Sequence, residues 1–257
     1  MSSWPERTHH NPLLDHLGTG FEVLPGFFVG GPLMKVLEYL HQLLLGFDMY
    51  LSKKPTAPTL VQLVGARNAV QHALMSLDAK VSWCNPAYMH HTSAESATDF
   101  DHENQNIMNQ IIYDLVRYAA IAFSFLVSFP IPRHTGHHQL LIEHLKRTIE
   151  QCDTLYLPLL YQDLLLWATM TGGVLAEDCE RSFFAKRIIL AEVTSPTGSN
   201  LLKPPKDGSR RDKRAWWEKI EDLCFTFLWY DKFDMEWEVE ALWIRVLKEM
   251  EGDDLQP

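Results

Sequence analysis

Cysteine is scarce in this chain, and its four copies, Cys84, Cys152, Cys179 and Cys224, never fall in a C-x-x-C spacing. That excludes a zinc module built from sequence neighbours and fits reduced, buried thiols. No Asn-x-Ser/Thr acceptor occurs, which suits an intracellular protein. Basic residues are in the minority, 23 against 33 acidic ones, for a formal charge of −10. A compact acidic domain repels a phosphate backbone unless its bases are segregated, so direct nucleic-acid binding is not expected. The phosphate-loop, dinucleotide and nucleophile-elbow patterns are all missing, as is H-E-x-x-H. The amino terminus lacks a basic start followed by an apolar run, so it is no secretory signal. The most apolar stretch, Tyr118 to Ile131, is short of the roughly 18 residues a span needs and ends at Pro130 and Pro132, so no membrane contact is expected. Glycine (13) and proline (14) are too few for a fibrous chain, and 46% hydrophobic residues exclude disorder throughout.

What the chain does have is helical periodicity. Residues 1–30 mix Pro, His, Gly and aromatics without a period and read as a partly ordered arm. From Pro32 apolar residues fall three and four apart: Leu33, Val36, Leu37, Leu40, Leu44 and Phe47, with Lys53-Lys54-Pro55 ending the run. A second helix has Leu60, Leu63, Val64, Val70, Leu74 and Leu77 on one face. Residues 82–103 read as a loop, and a long helix is expected from Glu103 or Asn104, with Ile107, Ile111, Leu115, Tyr118, Ala122 and Phe125 on one face. After Tyr118 that helix is apolar on almost every side, which places its end among other helices. A fourth helix carries Leu141, Leu145, Thr148 and Cys152, a fifth spans about Pro158 to Ala176, and a sixth Arg181 to Val193. Pro, Gly, Ser and charge make 194–214 an exposed basic loop. Trp216, Ile220, Leu223, Phe227 and Tyr230 mark an amphipathic helix, and a last helix runs from about Met235 to Met250 before an acidic tail, 251–257. The expectation is an all-α, single-domain protein of about eight helices, with 31–250 as its body.

Few residues stand out for chemistry. His134 and His138 have the i, i+4 spacing of metal ligands, but Gly136 interrupts them, and His90-His91 precede an acidic stretch with no matching pattern. Asp99, Asp101 and Glu103 resemble the start of a calcium loop but lack its glycine and closing Glu, so they read as helix-start charge. No cofactor or metal is expected. Lys203, Lys206, Arg210, Arg211, Lys213 and Arg214 reverse the acidic balance locally; Arg210, Arg211, Lys213 and Arg214 are candidates for nuclear import or anion contact. The aromatic series from Trp216 to Trp243 reads as core. Were the protein an enzyme, Asp163, Glu177, Asp178, His41 and His72 would be its acid/base candidates, with no spacing to select among them.

The order of segments is the most informative feature. Ile112-Tyr113 leads to an apolar helix ending in Phe129-Pro130-Ile131-Pro132. Leu141 to Cys152 follows, then Leu166-Trp167, Gly172-Gly173-Val174-Leu175-Ala176 and Arg181-Ser182-Phe183-Phe184, and later Leu228-Trp229-Tyr230-Asp231. This resembles the helical regulatory domain of fungal-specific zinc-cluster transcription factors over roughly residues 60–247. The family's six-cysteine DNA-binding part has no counterpart, and its aromatic pair usually starts with Trp where Phe183 stands. The resemblance implies Leu166, Trp167, Gly172, Gly173 and Arg181 as a packing motif. It also implies a nuclear or cytoplasmic, non-enzymatic regulator of transcription that works through a protein partner, self-association or a small apolar effector, without reading DNA itself. The rival expectation is a helical enzyme of fungal secondary metabolism that holds an apolar substrate between helices.

Overall fold

The computed structural model describes residues 18–24, 31–77, 99–127, 136–155, 161–191, 209–229 and 236–252. All regular structure among them is helical: one 3-10 turn, Thr19–Val23, and eight α-helices. These are α1 (Pro32–Leu51), α2 (Leu60–Met75), α3 (Asp99–Val127), α4 (His137–Thr154), α5 (Gln162–Leu175), α6 (Asp178–Leu190), α7 (Arg210–Phe225) and α8 (Glu236–Gly252).

Local chemistry sets most of the ends. Pro32 begins α1, where its missing N–H is not needed. Lys53, in the left-handed region at φ 52°, closes the same helix. Thr59 and Gln62 form a reciprocal capping box on α2, and Ser209 and Asp212 do the same on α7. Gly136 precedes α4 with φ 74°, a conformation other residues adopt only with strain.

Helix α5 is the hub. It packs against α3, α4, α6, α7, α8 and the 3-10 turn. Every residue from Leu166 to Leu175 is buried, which explains why the sequence there is apolar all round rather than striped. The α3 residues Val116, Ala119, Ala120, Ala122 and Phe123 are wholly enclosed, as that helix lies on both α4 and α5. Each fully buried Leu, Ile, Val or Phe contributes about 1.5–3 kcal/mol, so this centre carries much of the fold's stability. Helices α1 and α2 pair with each other, and α2 reaches the rest through α3, where Ser124 donates to Gln71 at 2.8 Å.

Several boundaries differ from the sequence reading. Helix α3 starts at Asp99, so Asp99, Asp101 and Glu103 lie inside its first turns rather than ahead of them. Helix α5 begins at Gln162, later than Pro158, and α6 begins at Asp178, earlier than Arg181, behind the acidic residues Asp178 and Glu180 that favour a helix start. The proposed loop 194–214 is helical from Arg210. On α2, Leu60 is 53% exposed and Val64 half-buried, so the inward face is Leu63, Val70, Leu74 and Leu77. The arm is not merely peripheral: Phe21 and Leu24 are buried in the core. Residues 1–17, 25–30, 78–98, 128–135, 156–160, 192–208, 230–235 and 253–257 lie outside the described set. With them go Cys84, His90, His91, Pro130, Pro132, His134, Lys203, Lys206, Tyr230 and most of the acidic tail.

Length alone does not exclude a span as the sequence reading held. Asn104–Val127 is long and apolar enough to cross a membrane, and 67% of its most apolar window is buried inside the bundle.

Candidate functional site

The family-like motif comes together at the hub. Trp167 is fully buried, and its Nε1–H donates to the Leu228 carbonyl at 2.8 Å, tying α5 to the end of α7. Its ring stacks on Phe227 at 5.6 Å and meets Phe21 edge-on at 5.3 Å. Glycine is a poor helix former, yet two adjacent glycines stand in α5 because neighbours fill the space of their side chains. A Cβ at Gly172 would lie 2.4 Å from Phe184 Cε1 and 2.8 Å from Leu145 Cδ2; one at Gly173 would lie 2.8 Å from Leu242 Cδ1. Arg181, 4% exposed, closes the C-terminal end of α5. It donates through Nε to the Gly173 carbonyl at 3.2 Å and through Nη2 to the Ala176 carbonyl at 2.8 Å. The same guanidinium pairs with Asp178 and Glu238, both at 2.8 Å, and so fastens α8 beside α6. A cation at this end also complements the helix dipole.

The acid/base candidates do not converge. Asp163 stands in the first turn of α5, while Glu177 and Asp178 follow its last, roughly 20 Å away along a helix of this length. Glu177 is exposed and Asp178 serves Arg181. His41 is half-buried on α1, and His72 is exposed on α2 with Ser76 Oγ 3.4 Å from its Nδ1. At Asp163 burial raises the pKa, and its Oδ1 is buried without a hydrogen-bond partner. It lies toward α7, where it and Glu221 add to the burial that lifts the Cys224 thiol well above its ordinary range.

A small apolar cavity of about 10 Å³ lies on another side of α5, lined by Ile112, Leu115, Cys152, Tyr161, Leu164 and Leu165. It has room for about one water molecule. Burial pushes the Cys152 thiol up to about 12, so it holds its proton and is no nucleophile. Among the described residues no three His, Cys, Asp or Glu side chains are grouped to hold a metal ion.

The basic candidates occupy the first turns of α7. Arg211 and Arg214 are exposed and Lys213 is half-buried; Arg210 begins the helix. Arg214 pairs with Glu218 at 3.2 Å, and Asp212, its pKa lowered by the Ser209 hydroxyl and backbone N–H, offsets the unfavourable basic charge at a helix start. Of the aromatic series, Trp216, Trp217, Phe227, Trp229 and Trp243 are buried, whereas Trp237 is 77% exposed.

One cluster escaped the sequence reading. Along α3, Gln110, Asp114, Arg117 and Tyr118 form a polar stripe beside the apolar face, and α4 sets His144 and Arg147 against it. Gln110 donates to Asp114 at 3.1 Å. The Tyr118 and His144 rings stack at 5.1 Å, and the Arg117 guanidinium lies 5.7 Å from the Tyr118 centroid. Burial raises the pKa of Asp114 against the opposing pull of Gln110, Arg117 and His144. Burial and then Asp114 raise that of Tyr118, while Arg117 and Arg147 pull it down. All six groups therefore share one field. The available signal was the i, i+4, i+7, i+8 recurrence of polar residues on an otherwise apolar helix.

Comparison of the chain with family models, with curated proteins and with solved structures gave no match.

Proposed function

We propose that this chain is a non-enzymatic regulator of transcription, built like the helical regulatory half of fungal zinc-cluster factors, that acts through a protein partner or a small effector. One observation carries the reading. Trp167, Gly172, Gly173, Arg181 and Phe184, drawn from three short strings, meet in one joint in which each has a task. The exposed basic turn of α7 suits nuclear import or contact with an acidic partner. The rival reading, an enzyme acting on an apolar substrate, gains nothing from the cavity beside Cys152, whose size and lining suit no substrate, or from Asp163, which lies toward α7.

The test is to tether the full chain to an unrelated DNA-binding domain upstream of a reporter. A change in transcription that depends on the chain's fold is expected. An unchanged reporter with a folded fusion, or sequence-specific duplex binding by the untethered chain at physiological salt, would overturn the proposal.

A further inference from the structure

We propose that the seam between α3 and α4 is a binding site for a small organic anion, held by Arg117 and Arg147 beside the stacked Tyr118 and His144. The proposal deepens the regulatory reading by giving its effector a charge and a place.

In a chain with an excess of carboxylates, Arg181, Arg187, Arg214 and Arg245 each find one. Among the described residues Arg117 and Arg147 make no ion pair, although Asp114 lies near enough to feel the Arg117 charge, and the Arg117 Nε is buried without an acceptor. A buried donor left unmet costs on the order of 1–3 kcal/mol, more when it is charged, and an arriving acceptor recovers it. Tyr118 projects from a helix whose opposite face is locked in the core, and its stack on His144 fixes that ring too. Guanidinium forks match the paired oxygens of a carboxylate or phosphate, and the phenol and imidazole edges add further donors. Asp114, already engaged by Gln110, supplies an acceptor beside them. That combination favours an anion carrying its own hydroxyl or ammonium group, such as a hydroxy or amino acid.

The experiment is calorimetric titration of the full chain with citrate, glutamate and inorganic phosphate in turn, at constant ionic strength. Saturable binding at one site is expected for citrate or glutamate, tighter than for phosphate, weakened at least tenfold by Arg117→Gln and by Arg147→Gln and unchanged by Arg67→Gln on α2. Arg147 is exposed, so its variant keeps the fold even where Arg117→Gln does not. No saturable binding of citrate or glutamate, binding of inorganic phosphate alone, or equal binding by all variants would overturn the site. The readout uses purified chain, so its failure is distinct from failure of the tethered reporter.

Discussion

Replacing Gly172 by alanine tests the geometry of the hub most directly. Two effects oppose each other. Alanine is the better helix former by about 1 kcal/mol, and Gly172 sits inside α5, so propensity alone predicts a gain. Against this, the new methyl would lie 2.4 Å from Phe184 Cε1 and 2.8 Å from both Phe184 Cζ and Leu145 Cδ2. Phe184 and Leu145 are both fully buried, so neither has free space to retreat into. Overpacking of a filled core costs about 1–3 kcal/mol, and so rigid a contact belongs in the upper part of that range. The balance is a loss of about 1–2 kcal/mol, equivalent to a fall in Tm of roughly 2–8 °C for a chain of this size. Urea unfolding followed by circular dichroism reads it, with an unchanged slope showing that the unfolded state is the same. Gly65→Ala is the control. It is also mid-helix, but exposed with open space around it, and should gain about 0.5–1 kcal/mol. Equal gains at both positions would refute the claim that α4 and α6 close on the glycine.

Arg181→Ala leaves the Gly173 and Ala176 carbonyls and Glu238 without their donor and should destabilise the fold by about 3 kcal/mol, with little relief from added salt, as urea melts at two salt concentrations would show. Trp167→Phe removes the donor to the Leu228 carbonyl and should cost about 1–3 kcal/mol, read by the same melts. Asp163→Asn should stabilise the protein at neutral pH. The folded carboxyl titrates above its unfolded value, so stability falls as pH rises through the interval between the two, and the disadvantage is complete above it. The advantage of the amide therefore shrinks on acidification and vanishes below about pH 4, where the unfolded carboxyl is protonated as well. A benefit independent of pH would show that charge is not its cause.

The helical periods of α1 and α4 were legible because each buries one stripe and shows the other to water, so the three-and-four spacing survives in the sequence. The start of α7 was not. Pro, Ser and charge suggested a loop, while the signal that mattered was local: Ser209 and Asp212, three apart, cap each other. The start of α6 was missed for a related reason, since its first turn is marked by Asp178 and Glu180 rather than by apolar residues. Leu60 was assigned to a buried face by spacing, but it opens α2 at an end where no neighbour covers it. The seam on α3 was hidden because periodicity picks out what is buried: Asp114 and Arg117 lie just off that face, and Tyr118, assigned to it by spacing, is only half-buried. His144 and Arg147 join them only through the packing of α4 on α3, which no local pattern encodes.

The clasp between the 3-10 turn and the end of α7 bears on how the protein is made. Gly20 N–H donates to the Thr226 carbonyl at 2.7 Å, and Phe21 lies against Phe227. Phe21 therefore leaves the ribosome about 200 residues ahead of its partner, a delay of roughly 10–40 s at ordinary synthesis rates. The hub tryptophan waits for less time: Trp167 precedes Phe227, on which its ring stacks, by about 60 residues, roughly 3–12 s of synthesis during which that face has no partner.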